Sequence, residues 1–308
     1  MKKFLIGFDC GATKTECVLA DIEGNIICSA NGKPSNILVI GIDNAARNIL
    51  SLLDKFKNEL DFTRAEIEKV VIGAAGAGRK EDAERLRKVV TDLASLKGII
   101  FKSITVVSDA QIALEGAFPK KPGCILIAGT GSIIYGKDKE GNVFRAGGFG
   151  RLIGDEGSGY SIGRKALEAA AGFFDGRGEK TLIVKLIADK YFIKAPDDLI
   201  SKVYKEDLDI ASVAQIVLTA AKEGDKIALN ILAEESDQLI ELIKAMIKKM
   251  NIEELNVSPA GSLISNKNDY SDMLLKKIRT YLPSVKVIKP EHSPVEGAII
   301  IAKEMLND

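Results

Sequence analysis

Three short apolar runs, separated by turns that contain glycine, lie at residues 4–8, 16–20 and 26–30. Their length and flanking turns predict three strands in an antiparallel meander. Apolar residues at helical spacing then predict a helix over residues 42–60, which Asp43 can cap. The pattern continues with a strand over residues 69–72, a helix over 80–96 and a strand over 104–108. This order of elements indicates an α/β domain with a mixed sheet.

The same pattern starts again 117 residues later. Strands are predicted over residues 124–128, 133–137 and 143–146, and the two meanders align without a gap. The residues that match are Asp21 with Asp138, Glu23 with Glu140, Gly24 with Gly141, Asn25 with Asn142, Thr13 with Thr130, and Thr15 with Ser132. Since both the residues and the strand pattern repeat, we expect a duplicated domain.

The rest of the second half is richer in helix. Helices are predicted over residues 157–173, 181–190, 197–205, 209–223 and 225–249. A strand over 255–259, a helix over 269–281, a strand over 285–288 and a last helix over about 294–306 follow, and Pro294 suits a first helical turn. The Lys-Lys-Pro-Gly stretch at residues 120–123 predicts the domain boundary. We therefore expect one domain over residues 1–119 and a second, with a helical insertion, over 120–293.

Composition narrows the possible partners. The 308 residues are 46% hydrophobic, enough for two cores of ordinary size. The 43 basic and 43 acidic residues balance, so no large nucleic-acid or membrane footprint is expected, and a small-molecule substrate is favoured. The first residues lack the apolar region of a signal peptide, and no apolar stretch approaches the roughly 20 residues of a membrane helix. We therefore expect a soluble, cytoplasmic protein.

The four cysteines and the single histidine point to no metal site. Cys10, Cys17, Cys28 and Cys124 lie in or beside strand-like apolar runs, and none forms a C-x-x-C pair. Reduced, buried thiols are the expectation, since unpaired cysteine is readily buried. His292 lies in a polar loop with no nearby cysteine or histidine.

Two turns have the composition of a phosphate-binding loop. Small residues let backbone N–H groups approach phosphate oxygens, hydroxyls add donors, and lysine adds charge. The first turn contains Gly11, Ala12, Thr13, Lys14 and Thr15, and the second contains Gly129, Thr130, Gly131 and Ser132. Facing each other across a cleft, the two turns would bind a triphosphate from both sides. Neither is a Walker A loop or a Rossmann fingerprint, because a strand follows the first turn.

Two aspartates follow strands at positions suited to phosphoryl transfer. Asp9 ends the first strand and would bind Mg²⁺ through water, although an aspartate there can also simply cap the turn. Asp109 follows the strand over 104–108 and would accept the proton of an attacking hydroxyl as a general base. The alternative for Asp109 is a helix N-cap.

The glycine-rich segment over residues 147–159 has the composition of a polyol site. Asp155 and Glu156 can accept hydrogen bonds from hydroxyls, and Phe149 can cover an apolar sugar face. The alternative is a flexible loop whose acids stabilise the following helix. Farther along, Gly261 would let the backbone lie against an adenine, a weaker signal because glycine is common after strands.

Together these motifs resemble the N-acetylglucosamine kinases of the BadF/BadG/BcrA/BcrD ATPase family, within the superfamily of actin, hexokinase and the heat-shock-protein ATPases. The resemblance rests on residues 9–15, 36, 108–110, 129–132, 148–150, 154–158 and 260–262. It spans nearly the whole chain, and Gly154-Asp155-Glu156-Gly157-Ser158 is its most specific part. It implies two ribonuclease-H-like (actin-like ATPase) α/β domains with mixed sheets flanked by helices, a cleft between them, and a last helix that packs back on the first domain.

The resemblance also implies roles for individual residues. Thr13 and Thr130 would bind phosphates, and Asp109 would be the base for the sugar 6-hydroxyl. Hydroxyls of the sugar would contact Asn36, Asp109 and Asp155. The surroundings of the sugar and its 2-substituent would be Ser132, Ile133, Gly148, Phe149 and Gly150. The nucleotide would lie near Ser212, Gly261 and Ser262. ATP and Mg²⁺ would be required, and a homodimer is expected.

The exact acceptor stays open at this point. The family pattern often has Trp where this chain has Phe149, and Gly where it has Cys10, so the substrate would be N-acetylglucosamine or a relative. Those relatives are glucosamine, N-acetylmuramic acid, N-acetylmannosamine and, for a broadly specific enzyme, glucose. Two alternatives remain: an ATPase activator of a 2-hydroxyacyl-CoA dehydratase or benzoyl-CoA reductase, which shares an iron–sulfur cluster across a dimer, and an ATP-binding regulator without turnover.

Overall fold

The computed structural model describes residues 2–56 and 66–306. The chain divides into two compact units. The first combines the described residues up to Lys121 with those from Lys289 onward, and the second is Pro122–Ile288. The first unit is therefore made from both ends of the chain, and the second is continuous.

A five-stranded mixed sheet forms the centre of the first unit. Its strands are β1 (Lys3–Cys10), β2 (Thr15–Asp21), β3 (Ile26–Gly32), β4 (Glu66–Ala74) and β5 (Ile104–Ser108). They lie in the order β3-β2-β1-β4-β5. The β1–β2 and β2–β3 pairs are antiparallel, whereas β4 is parallel to both β1 and β5. The parallel strands β1, β4 and β5 thus end at one edge of the sheet, where Asp9 and Asp109 lie.

The described residues before the second unit form four helices: α1 (Ile37–Ile40), α2 (Ile42–Leu53), α3 (Lys80–Leu96) and α4 (Asp109–Ala117). The helix predicted over residues 42–60 ends at Leu53 and continues as a 3₁₀ turn over Asp54–Phe56. The last four positions of that prediction lie outside the described residues. The sequence did not predict α1, because four residues are too few to show a helical period.

The second unit repeats the arrangement of the first. Its strands are β6 (Gly123–Ala128), β7 (Ser132–Lys137), β8 (Val143–Gly147), β9 (Leu255–Ala260) and β10 (Val285–Val287). They lie in the order β10-β9-β6-β7-β8, again with an antiparallel meander and two parallel neighbours. Equivalent turns are closed alike: Asn25 donates its N–H to Asp21 and Asn142 donates to Asp138, both at 2.8 Å. The sequence repeat therefore corresponds to two sheets of the same topology.

Helices account for most of the remainder of the second unit. They are α5 (Gly159–Phe174), α6 (Leu182–Tyr191), α7 (Pro196–Tyr204), α8 (Ala214–Lys222), α9 (Lys226–Met250) and α10 (Asp269–Tyr281). The helix predicted over residues 209–223 begins as a 3₁₀ helix over Ile210–Val213. The helix predicted from residue 157 begins at Gly159, because Ser158 caps it by accepting the N–H of Ser161.

One carboxylate joins two helices of the second unit. Asp225 caps α9 by accepting the N–H of Ala228, and it also accepts the N–H of Leu182 and the hydroxyl of Thr181 at the start of α6. Burial raises the pKa of Asp225, but the hydrogen bonds from Ala228, Leu182 and Thr181 outweigh it and the pKa is lowered. Its stabilising effect is therefore present above the unfolded pKa of about 4 and is lost as the pH falls through the folded pKa.

We predict that Asp225→Asn lowers the free energy of unfolding at pH 7 by about 1–2 kcal/mol. The difference in the free energy of unfolding between wild type and variant should become smaller as the pH falls below about 4, because protonation removes the same charge from the wild type. Urea unfolding across this pH range measures the effect. Asp209→Asn is the control, because the Asp209 carboxylate accepts one such bond, from the Ala211 N–H at 3.1 Å. We expect Asp209→Asn to lower the free energy of unfolding by less than half as much as Asp225→Asn does. A difference in the free energy of unfolding that does not change with pH would contradict the prediction.

The last helix, α11 (Pro294–Glu304), belongs to the first unit. It is capped by a reciprocal pair in which Ser293 donates its N–H to Glu296 and accepts the Glu296 N–H. It packs closely on α4, since a Cβ at Gly297 would overlap the carbonyl of Ile112. The helix that begins with Asp109 is thus supported by the C-terminal segment. Within the described part of the chain, no helix is long and apolar enough to cross a membrane.

Candidate active site

The turn between β1 and β2 leaves one hydroxyl available to a ligand. Gly11 donates its N–H to the carbonyl of Lys14 at 3.0 Å and closes the turn. Ala12, Thr13 and Lys14 are exposed. Among the described residues the Thr13 hydroxyl has no hydrogen-bond partner, whereas the Lys14 ammonium lies 2.9 Å from a carboxylate oxygen of Glu16. Thr13 and the backbone are therefore donors that this turn can offer an anion, and the exposed Lys14 ammonium, which has three N–H donors, adds positive charge beside them.

Thr15 has a different role from the one that its position in the turn suggested. Its side chain is fully buried. The hydroxyl donates to the carbonyl of Lys33 at 2.7 Å and lies 2.7 Å from the Ser35 hydroxyl. The N–H of Ser35 in turn donates to the carbonyl of Gly11. The Thr15 side chain thus attaches the turn to the following segment and is not a donor for a ligand.

Asp9 and Asp109 lie at the same edge of the first sheet. Asp9 pairs with Gly73 of β4, and Ala74, the next residue of β4, pairs with Ser108 of β5. Burial, and then the nearby carboxylates of Asp109 and Glu16, raise the pKa of Asp9 to about 6 despite the opposing Lys14. Carboxyls with a pKa raised by burial and by neighbouring negative charge are typical of functional sites.

Ser108, and not Asp109, caps α4. The Ser108 hydroxyl accepts the N–H of Gln111 at 3.2 Å, so the N-cap alternative for Asp109 is wrong. Asp109 is the first helical residue, and one of its oxygens accepts the N–H of Ala110 at 2.9 Å. Burial raises the pKa of Asp109 even though backbone hydrogen bonds from Ala110 and from Asp109 itself oppose the rise. Asp109 is thus a half-buried carboxyl whose basicity is increased, as a general base needs.

The acidic residues at this edge fit a bound divalent cation. Asp9, Asp109 and Glu16 concentrate negative charge, and a cation would relieve the repulsion that raises the pKa of Asp9. The described residues contain no cluster of three or more His, Cys, Asp or Glu arranged to hold a metal. Mg²⁺ does not require one, because it keeps several waters and binds one or two carboxylates together with substrate phosphates.

Asn36 lies near the same edge of the first sheet. It follows Ser35, which is bonded to Gly11, and it precedes Ile37, whose N–H donates to the carbonyl of Ala75 just after β4. The side-chain oxygen of Asn36 accepts the N–H of Leu38 at 3.0 Å and caps α1. The structure therefore groups Asn36 with the first turn.

The turn between β6 and β7 resembles the first. Gly129 donates its N–H to the carbonyl of Gly131 at 3.0 Å, and Thr130 is exposed with no hydrogen bond from its hydroxyl among the described residues. The start of α5 is attached to this turn, since Gly159 donates to the Gly129 carbonyl at 2.7 Å and Tyr160 to that of Thr130. Each unit thus has one exposed threonine hydroxyl in the turn that follows its first strand.

The carboxylate of Asp155 lies directly beside the second turn. It accepts the N–H groups of Ser132, at 3.3 Å, and of Gly150. A Cβ placed on Gly131 would lie 2.9 Å from an Asp155 oxygen. Burial raises the pKa of Asp155 against these hydrogen bonds, with a smaller contribution from Glu156. We call the segment that contains Asp155 and Glu156 the acidic loop. This loop and the second turn therefore form one local site within the second unit.

Ser132 supports this loop from inside. It is buried, and its hydroxyl donates to the carbonyl of Glu156 at 2.6 Å, so its side chain is not available to a sugar. Ser132 occupies the position that Thr15 has in the first repeat. In both repeats the hydroxyl donates to a backbone carbonyl of the segment that follows the three-stranded meander. That Ser132 lies beside the sugar and its 2-substituent stays a prediction.

The remaining predicted residues surround the same loop. Gly148 donates its N–H to the Ser132 carbonyl at 3.0 Å and packs against Ile133. The Phe149 ring is 64% exposed, and the guanidinium carbon of Arg145 lies 5.7 Å from its centroid. An exposed aromatic face next to Asp155 could pack against a sugar ring.

Two predicted nucleotide contacts have structural roles. The loop after β9 is bound to the end of β6, because Leu263 donates to the carbonyl of Ala128, and Gly261 packs closely on that carbonyl. Ser262 follows in the same loop. The Ser212 hydroxyl donates to the carbonyl of Asp209 at 2.6 Å and lies 2.7 Å from the Tyr191 hydroxyl, so it is already satisfied.

The sequence analysis did not identify the residues of α9 and α10 that form hydrogen bonds to the backbone of Gly157. Glu235 of α9 accepts the N–H of Gly157 at 2.6 Å, and the Tyr270 hydroxyl of α10 donates to the Gly157 carbonyl at 2.7 Å. One signal existed: Glu235 lies on the face of α9 that carries Leu232 and Leu239, where a charged residue needs an explanation.

The chain is similar to known proteins over nearly its whole length. Residues 6–302 match the model of the BadF/BadG/BcrA/BcrD ATPase family. The chain is 36% identical over 306 residues to an N-acetylmuramic acid/N-acetylglucosamine kinase of Clostridium acetobutylicum, covering 98% of both chains. It is 31% identical over 318 residues to an N-acetyl-D-glucosamine kinase of Dictyostelium discoideum, again covering 98% of each.

A solved structure shares the fold. A provisionally assigned N-acetylglucosamine kinase from Chromobacterium violaceum superposes with a TM-score of 0.78 at 22% identity, covering 97% of this chain and 98% of that one. At this level of identity the likeness concerns the fold, in which two mixed sheets are flanked by helices.

Proposed function

The chain belongs to the BadF/BadG/BcrA/BcrD ATPase family and is an ATP-dependent carbohydrate kinase, and from this premise we propose that it phosphorylates the 6-hydroxyl of N-acetylglucosamine or a closely related amino sugar. The observation that carries the proposal is the composition of each unit's local site. An exposed threonine turn lies near a carboxyl of raised pKa in both, with Asp9 and Asp109 in one unit and Asp155 in the other.

The proposed reaction is an in-line phosphoryl transfer. Asp109 accepts the proton of the sugar hydroxyl while the hydroxyl oxygen bonds to the γ-phosphorus, and the bond from that phosphorus to the β-phosphate oxygen breaks. The backbone N–H groups and the hydroxyls of Thr13 and Thr130 donate hydrogen bonds to phosphate oxygens. Mg²⁺ bound at Asp9 would neutralise part of the phosphate charge.

The sugar contacts follow from the acidic loop. Asp155 and Asn36 bind hydroxyls, and the exposed ring of Phe149 packs on the sugar near its 2-substituent. Acceptors that fit this description are N-acetylglucosamine, N-acetylmuramic acid, glucosamine and N-acetylmannosamine, with glucose included if specificity is broad. The relatives that act on N-acetylmuramic acid and N-acetylglucosamine support the first two. Assembly as a homodimer remains a prediction.

A coupled assay of ADP release tests the proposal. We expect sugar-dependent release of ADP with N-acetylglucosamine, and a panel of the other acceptors ranks them. The matched control is 6-deoxy-N-acetylglucosamine, which keeps the sugar ring and acetamido group but lacks the acceptor hydroxyl, and it should give no release above background. Equal release with the 6-deoxy sugar would contradict transfer to the 6-hydroxyl.

The activator alternative has less support. Cys10, Cys17 and Cys124 are fully buried in strands, where thiols shared between two copies would not be reached. The kinase relatives also cover this chain almost completely. Iron in the purified protein, together with no sugar dependence of ATP consumption, would favour the activator instead.

A further inference from the structure

A buried glutamate lies beneath the loop that carries Asp155. Glu235 is 1% exposed, and the other buried residues of α9 are apolar except for Ser236. A buried carboxylate is costly unless it is paired and hydrogen-bonded. One Glu235 oxygen accepts the N–H of Gly157 at 2.6 Å, and the other lies 3.0 Å from the Lys165 ammonium. The reaction proposed above uses none of these groups, so their burial points to another role.

Gly157 is held on both sides. Glu235 binds its N–H, and the fully buried Tyr270 donates its hydroxyl to the Gly157 carbonyl at 2.7 Å. The φ angle of Gly157 is +81°, and a Cβ there would overlap Leu239. Two helices, α9 and α10, therefore fix the orientation of a single residue, and glycine suits this position because it adopts a positive φ and has no Cβ.

The constraint at Gly157 reaches Asp155 through the short chain between them and through one hydrogen bond. Ser158 donates its N–H to the Asp155 carbonyl at 3.2 Å and closes a turn around Glu156 and Gly157. Asp155 itself has a φ angle of +63°, a left-handed conformation that a residue with a side chain adopts when its surroundings hold it there. Releasing Gly157 would let Asp155 leave this conformation and turn its carboxylate away from the second turn.

We propose that Glu235 is a positioning residue for the sugar site, which fixes Gly157 so that Asp155 points at the sugar hydroxyls. The inference rests on the proposed function, because it assumes that Asp155 binds the sugar. Glu235 contacts neither substrate in this scheme and acts only through the loop. Its loss should therefore weaken binding of the sugar without affecting binding of ATP.

The first test is Glu235→Met, which keeps the approximate length of the side chain but removes both of its oxygens. A Gln at this position would still have an amide oxygen able to accept the Gly157 N–H. We expect KM for N-acetylglucosamine to rise by about tenfold, while kcat and KM for ATP change by less than about twofold. The matched control is Glu234→Gln. Glu234 is the preceding residue and lies 2.7 Å from the same Lys165 ammonium, but it makes no bond to Gly157. An equal rise of KM in Glu234→Gln would overturn the proposal, because the ion pair alone would then explain the effect.

A double variant tests whether Glu235 acts through Asp155. Asp155→Asn alone should raise KM for the sugar, and adding Glu235→Met should raise it no further. A second tenfold rise in the Asp155→Asn background would overturn the positioning role while leaving the sugar site intact. No change of KM in Asp155→Asn alone would instead overturn the sugar site and, with it, this inference.

A milder variant covers the case in which Glu235→Met does not fold. Tyr270→Phe removes only the hydroxyl that binds the Gly157 carbonyl and keeps the buried ring. We expect a smaller rise of the sugar KM, by about threefold, with KM for ATP unchanged. An unchanged sugar KM in a folded Tyr270→Phe protein would overturn the proposal.

Discussion

Replacing Asp109 with Asn is expected to lower kcat by about 10³-fold, because the amide cannot accept the proton of the attacking hydroxyl. The substitution keeps the size of the side chain, and its oxygen can still accept the N–H of Ala110. Binding of ATP should therefore be nearly unchanged. ADP release gives kcat, and isothermal titration calorimetry gives the dissociation constant for ATP.

Ser108→Ala is the matched control for Asp109. It removes the cap of the same helix, and with it about 1 kcal/mol of stability, but leaves the carboxylate in place. We expect kcat of this variant to stay within about threefold of wild type, since no proton-accepting group is lost. If Asp109→Asn instead kept the wild-type kcat, Asp109 would not be the base, and another carboxyl at this edge of the sheet would have to be sought.

The second large effect is expected at Asp9. Asp9→Asn should lower kcat/KM for ATP by about 10²-fold and raise the Mg²⁺ concentration needed for half-maximal rate by about tenfold or more. The physical reason is the loss of the negative charge that would hold the cation beside the phosphates. Rates measured over a series of Mg²⁺ concentrations at fixed ATP give both quantities.

The two aspartates can be told apart by their Mg²⁺ dependence. Asp109→Asn should lose kcat and keep its Mg²⁺ midpoint, whereas Asp9→Asn should shift that midpoint. An unchanged midpoint in Asp9→Asn would remove the cation role from Asp9 and leave it as a buried carboxyl of raised pKa. Saturating Mg²⁺ should restore part of the Asp9→Asn activity and none of the Asp109→Asn activity.

Much of the fold could be predicted from the sequence because its signals are local. The strand over residues 104–108 and the helices over residues 80–96 and 269–281 have the predicted bounds. The last of these is capped at Asn268, which accepts the N–H of Ser271, immediately before the apolar period begins. Most other bounds shifted by one or two residues, but β4 begins three residues before the strand predicted over residues 69–72. The 3₁₀ turn over Ile210–Val213 was predicted as helix because its apolar residues fit the same period.

The site was predictable to the extent that it lies in the repeated turns. Which hydroxyls face inward could be judged from strand alternation: Thr15 shares a face of β2 with Cys17 and Leu19, and all three are buried. The partners of Gly157 could not be found in this way. Glu235 and Tyr270 lie 78 and 113 residues from it in sequence, and only the packing of α9 and α10 brings them to the loop.

The close packing of α11 on α4 has a consequence for biosynthesis. The part of the first unit up to Lys121 is synthesised before the second unit, but the helix that covers Gly116 and Ile112 is synthesised after it. The second unit is continuous and is complete before that helix appears, so it can fold first. A nascent chain therefore gains the packed surroundings of α4 only after α11 has been synthesised, and a product terminated before α11 would have both glycine-containing turns but an unsupported α4.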